Sequence, residues 1–328
     1  MSKVIGFDDE FNSLFKNLEN NTLSNSTILS GNKGIGKRFF IMHVIEEFIK
    51  IKSNKDQFNH HLNLLNNNSH PNVKILEREQ DEKTKKFKNF ITIDQIRKLN
   101  QFSRETSLLE NLNKFIVIDS ADNLNINASN ALLKILEEPK SNTFFFLISH
   151  QPALLLPTIR SRCLKINFKS HDFSNFKKIT LSQEILDDEI IKFLFDITNG
   201  SPGLAYEYDF NEILEIFDRL INAIIDSNIF SVENNFLVER FSSFDSEKLK
   251  IYISIIKFIL ITLNKIKFGI NINDFFLSTK IKKIQSISND ISLDYINKKL
   301  EYLIKYENDL FTFNLDKKVF MINFFAER

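Results

Sequence analysis

Apolar residues in the first half of the chain come in two patterns that alternate. Ser26–Ser30 (STILS), Lys114–Asp119 (KFIVID) and Thr143–Ser149 (TFFFLIS) are unbroken runs of strand length, as expected of parallel strands covered on both faces. Leu164–Phe168 predicts a further, final strand. Between these runs, Lys37–Ile51 spaces Phe40, Val44, Ile45 and Phe48 as a helix does, and Asn130–Glu138 reads as a helix stopped by Pro139. Strands alternating with helices predict a doubly wound α/β domain with a parallel sheet. Residues 52–90 break the pattern with Asn66–Asn68 and a charge-rich stretch from Glu77 to Lys88, so a solvated loop or insertion is expected there. After residue 170 the spacing turns helical. Residues 172–206 form a small unit ending in Gly200-Ser201-Pro202-Gly203. From about residue 210 come longer helices, in which Ile213, Leu214, Phe217, Leu220, Ile221, Ile224 and Ile225 share one face. Leu293–Tyr306 and Lys317–Phe325 predict two more.

With 328 residues, the chain is long enough for two or three domains. The expected division is an α/β domain over 1–168, a small helical domain over 169–207 and an all-α domain over 208–328. A hydrophobic share of 43% supports real cores, and a net charge of +1 argues against a stand-alone nucleic-acid-binding module. Cys163 is the one cysteine, which excludes an internal disulfide and a multi-cysteine zinc site. The start, MSKVIGFDDE, carries charges and no long apolar stretch, so a cytoplasmic protein is expected. Ile251–Leu263 is greasy but carries Lys257 and is too short to span a bilayer, so it predicts a buried helix and no membrane partner. There are 34 Phe and no Trp, with only 7 Gly and 5 Pro. Such scarcity makes each glycine informative, and three of them fall between residues 31 and 36.

Those three glycines belong to Gly31-Asn32-Lys33-Gly34-Ile35-Gly36-Lys37-Arg38. The run matches the phosphate-cradling P-loop, G-x-x-x-x-G-K, between a predicted strand and a predicted helix. Glycines let backbone N–H groups turn toward phosphate oxygens, the helix N-terminus adds positive potential, and Lys37 neutralises charge. Gly31, Gly34, Gly36 and Lys37 are therefore the candidate nucleotide-binding residues. The last motif position calls for Ser or Thr, whose hydroxyl ligates Mg²⁺, but Arg38 stands there and cannot coordinate a cation. Asp119, ending an apolar strand about 80 residues later, has the place of the Walker B acid that holds the metal. The next residue, where hydrolysing relatives of the Asp-Glu type carry a base, is Ser120.

Asp119-Ser120-Ala121-Asp122 and Asn127-Ala128-Ser129-Asn130-Ala131-Leu132-Leu133-Lys134-Ile135-Leu136-Glu137-Glu138-Pro139 resemble the signature of bacterial clamp-loader subunits of the AAA+ class. His70-Pro71-Asn72, Ile91–Arg97, Ser149-His150, Leu156–Cys163 and Asn314-Leu315-Asp316 fit the same family. The resemblance is detailed over 26–163 and weaker to the end. It implies a P-loop AAA+ core, a helical lid and a C-terminal helical domain for oligomerisation (the collar). It also implies that Arg162, in Ser161-Arg162-Cys163, is a trans arginine finger directed at ATP on a neighbouring motor subunit. Arg160 is an alternative donor, although a structural role suits it better, and a surface salt bridge is the plain alternative for Arg162. Gly200-Ser201-Pro202-Gly203 resembles the sensor 2 segment, but Leu204 stands where hydrolysing relatives have Arg. Cys163 is expected to pack, with no His/Asn arrangement to make it a nucleophile. Zinc is not expected: the family's four-cysteine module is missing, and His60, His61 and His70 alone make a weak site.

The resemblance implies a component of the DNA polymerase III holoenzyme, and the losses at Arg38, Ser120 and Leu204 favour a non-hydrolysing one. Its implied partners are gamma/tau and delta clamp-loader subunits, the sliding clamp and primer-template DNA. No cofactor is then required, although ATP or ADP could still bind. The alternative is an ATP-hydrolysing motor subunit of the gamma/tau kind, keeping Lys37 and Asp119 and using Asp122 in place of a glutamate.

Overall fold

The fold was analysed in a computed structural model, which describes residues 4–81, 83–84, 87–104, 113–140, 142–181, 188–207, 209–225, 231–270, 278–313 and 315–326. Of the motif Asn314-Leu315-Asp316, the first residue lies outside the described residues. The chain divides into two compact units, residues 1–175 and 176–328.

In chain order, the first unit holds α1 (Asp8–Glu19), β1 (Ser26–Ser30), α2 (Lys37–Lys52), α3 (Lys55–Asn66), β2 (Val73–Leu76), α4 (Ile93–Arg104), β3 (Lys114–Asp119), α5 (Ile126–Glu137), β4 (Thr143–Ser149), α6 (Pro157–Arg160) and β5 (Leu164–Asn167). The strands form one all-parallel sheet in the order β2-β3-β4-β1-β5. Strict alternation sends Phe115, Val117, Phe144, Phe146 and Ile148 to one face, against Phe40, Val44 and Phe48 of α2 and Leu14 and Leu18 of α1. Ile116, Ile118, Phe145 and Leu147 go to the other face, against α4 and α5. Both faces are dry, which is why these strands read as unbroken apolar runs. The α/β P-loop core therefore has the parallel architecture expected.

The expectation of a loop over residues 52–90 is corrected. That stretch contains α3 and β2. Asn54 caps α3 by accepting from the Gln57 N–H, and Gln57 bonds back in a capping box. His61 and Leu65 of α3 are buried. β2 then pairs with β3 and gives the sheet one of its edges.

The helix α7 (Phe173–Leu181) begins in the first unit and runs into the second. The second unit continues with α8 (Asp188–Thr198), α9 (Pro202–Ala205), α10 (Phe210–Ile225), α11 (Val232–Ser243), α12 (Ser246–Lys267), α13 (Ser278–Ser288), α14 (Leu293–Thr312) and α15 (Lys317–Ala326). Ser231, Asp245 and Ser292 cap α11, α12 and α14. Phe193 of α8 packs edge-on against Phe217 of α10 and Phe258 of α12, with ring centroids 5.8 and 5.5 Å apart. Residues 188–207 and 209–326 thus share this unit, which holds most of the segments expected as lid and collar. Lys299 is fully buried in α14, and its ammonium donates to the Phe324 and Phe325 carbonyls, two orphan acceptors at the end of α15. Among the described residues, no helix is long and apolar enough to cross a membrane.

Candidate functional site

The site gathers at the carboxyl ends of β1, β3 and β4, the edge where parallel α/β sheets place their ligands. β1 runs into Gly31, whose N–H bonds the Ser149 carbonyl of β4 at 3.2 Å. Gly31 has φ +152°, and a Cβ there would meet the Phe168 carbonyl oxygen at 2.5 Å, so only glycine lets the loop pass. Gly36 turns at φ 95° to open α2 directly at Lys37. The loop is stitched to the segment after β5. Asn32 donates to the Ser170 hydroxyl at 3.0 Å, and His171 Nε2 donates to the Ile35 carbonyl at 3.0 Å.

Lys37 is 3% exposed and curls back into its own loop. Its ammonium donates to the carbonyls of Gly31 (2.6 Å) and Asn32 (2.7 Å) and meets His150 Nδ1 at 2.9 Å. Burial lowers its pKa to about 8, while Asp122 and Asp119 nearby pull the other way.

Arg38 stands beside it on α2. Its Nη1 is 2.6 Å from Glu77 Oε2 and 3.4 Å from Asp119 Oδ2. Burial raises the pKa of Asp119, and the Arg38 guanidinium opposes that rise. Ser120 is buried, and its hydroxyl accepts from Asn123 at 3.0 Å. Asp122, the alternative base, has both oxygens engaged: one accepts from the Ser149 hydroxyl (2.6 Å), the other from the His150 N–H (2.5 Å). The structure thus brings Gly31, Lys37, Asp119 and Asp122 together, with His150 of the Ser149-His150 motif, and adds Glu77 and His171, which no motif marks. Glu77 meets Arg38 across 39 residues and His150 meets Lys37 across 113, so no local pattern signals either contact.

Arg162 follows α6 and lies apart in character, exposed on the surface. Its Nη2 pairs with Glu137 Oε1 of α5 at 2.7 Å, and its Nη1 donates to the Thr158 carbonyl at 3.0 Å. Arg160 is exposed as well. Cys163 packs partly buried against the α5-side core, and burial pushes its thiol up to about 11, so at neutral pH it is a protonated, poor nucleophile. In the second unit, Pro202 occupies the first turn of α9 after Ser201, and Leu204 lies within that short helix. His61 and His70 are buried and hydrogen-bonded to each other at 3.1 Å, and His70 Nδ1 accepts from the Asn72 N–H.

Residues 8–172, half of the chain, match the family described as "DNA polymerase III, delta subunit". The chain is 45% identical over 102 residues to the DNA polymerase III subunit delta' of Pseudomonas aeruginosa, covering 31% of this chain and 29% of that one. It is 27% identical over 189 residues to the subunit delta' of Bacillus subtilis, covering 57% and 54%. The matched segments therefore span between about a third and about a half of these relatives' length. A solved gamma subunit-related protein of DNA polymerase III from Thermotoga maritima aligns over 97% of this chain and 98% of its own, at 18% identity and TM-score 0.42. With half the chain matched, and with relatives bearing the delta' name, the chain belongs to the delta-prime family of DNA polymerase III subunits.

Proposed function

We propose that the chain is a non-hydrolysing clamp-loader subunit that helps load the sliding clamp onto primed DNA. In this reading it works in the cytoplasm with gamma/tau and delta subunits and lends Arg162 to ATP on a neighbouring motor subunit. The observation that carries the reading is a contrast between two sites. Among the described residues, each acid of the P-loop site is already engaged: Asp119 and Glu77 with Arg38, and Asp122 with Ser149 and His150. With Ser120 in the base position, none of these carboxylates is free to activate water. Arg162, by contrast, is on the surface in a pair whose two side chains are 37% and 47% exposed. Such a pair is worth about 0–1 kcal/mol, so a charged phosphate oxygen can draw the guanidinium away from Glu137 at little cost.

The test is the ATPase rate of the assembled complex. Arg162→Ala is expected to lower it by roughly 10³-fold or more at the site it completes, the usual worth of an arginine finger, with assembly unchanged by gel filtration. The isolated chain is expected to turn over no ATP. Turnover by the isolated chain that vanishes in Lys37→Ala would restore the motor reading and overturn this one.

A further inference from the structure

A nucleotide in a P-loop brings a divalent cation, held by the hydroxyl after the lysine and by the acid ending the neighbouring strand. The residues here do not fit that ion. The hydroxyl position is Arg38, a donor-only cation that cannot ligate a metal. Its guanidinium reaches the acid itself, 3.4 Å from Asp119 Oδ2, and a second carboxylate closes on it, Glu77 Oε2 at 2.6 Å. Glu77 does not arrive by chance of a floppy side chain alone. Its backbone is fixed by the buried Gln95 of α4, whose Nε2 donates to the Glu77 carbonyl at 2.9 Å. The other acid in reach, Asp122, spends both oxygens on β4 and the residue after it. The inner carboxylate, Asp119, 20% exposed, already faces a positive charge, so a second cation at that distance is repelled, while the outer Arg38–Glu77 pair, 39% and 50% exposed, adds little by itself.

We propose that Arg38 is a built-in replacement for the divalent cation, tying the start of α2 to Asp119 and Glu77 and making this P-loop indifferent to metal. The inference concerns the isolated chain and Arg38 alone. It can fail while Arg162 still serves a neighbour, and it can hold if Arg162 does not.

The probes are ATP with Mg²⁺, ATP with a chelator, and Mn²⁺ as a paramagnetic stand-in for Mg²⁺. They are applied to the full-length wild type, Arg38→Thr and Arg38→Lys, with circular dichroism to check folding. In the wild type, Mg²⁺ is expected to leave ATP affinity unchanged, whether that affinity is weak or nil, and no Mn²⁺ site is expected. Arg38→Thr restores a hydroxyl and frees Asp119, so about tenfold or greater tightening by Mg²⁺ is expected, or about 1.4 kcal/mol. Arg38→Lys keeps the charge and is expected to gain nothing. Two results would overturn the proposal: a Mn²⁺ site in the wild type that disappears in Asp119→Asn, or a folded Arg38→Thr that gains no metal dependence. Should the threonine variant fail to fold, the Mn²⁺ titration of the wild type and Asp119→Asn decides: no Asp119-dependent site supports the proposal, and such a site refutes it.

Discussion

Lys37 offers three protons, and three acceptors within 3 Å take them. Self-satisfaction of this kind recurs at the residue scale. His70 and His61 are a second case: each completes the other in the interior, and burial is the main cause that holds the His70 pKa down at about 4. A histidine depressed in the folded state is protonated first in the unfolded chain. Its stabilising contribution is whole above pH 6.5 and is lost as pH falls toward 4. That loss should amount to about 3 kcal/mol, and denaturant midpoints taken between pH 7 and pH 4 should fall accordingly. His70→Asn, which cannot titrate, should flatten that slope; a slope unchanged in the variant would show that the pair is not its source. Residue type was readable at this scale, since Arg38, Ser120 and Leu204 depart from their motif positions by identity alone. Partnership was not. Nothing adjacent to Asp122 says that Ser149 and His150 will consume it, because those contacts exist only once β3 and β4 lie side by side.

At the scale of elements, β1, β3 and β4 were legible to the residue, since two covered faces force an unbroken apolar run. α3 and β2 were not. α3 interleaves Phe58, Leu62 and Leu65 with Asn and His, so its apolar stripe is diluted, and β2 has four residues with Lys74 among them. The cap of α5 bears on function. Asn125 accepts from the Ala128 N–H and starts the helix whose last residue, Glu137, holds Arg162. Asn125→Ala should cost about 1 kcal/mol of stability. Urea denaturation of the variant measures it, and a change under a few tenths of that figure would mean the cap is idle.

For the molecule as a whole, the hydrophobic spacing changes period near residue 170, and the chain divides into its two units at residue 175. Among the described residues, the second unit builds its core from helices, and Gly200-Ser201-Pro202-Gly203 is a glycine landmark within it. That separation has an optical corollary. The chain has no tryptophan, and all six of its tyrosines follow residue 205. Excited where only tyrosine absorbs, the emission therefore comes from the helical unit, because the phenylalanines of the P-loop unit do not absorb there. Tyrosine emission during urea titration should report melting of residues 176–328 only, while far-ultraviolet dichroism follows both units. A single tryptophan placed in α2 would light the other half, so that each unit could be watched in its own colour as the chain unfolds.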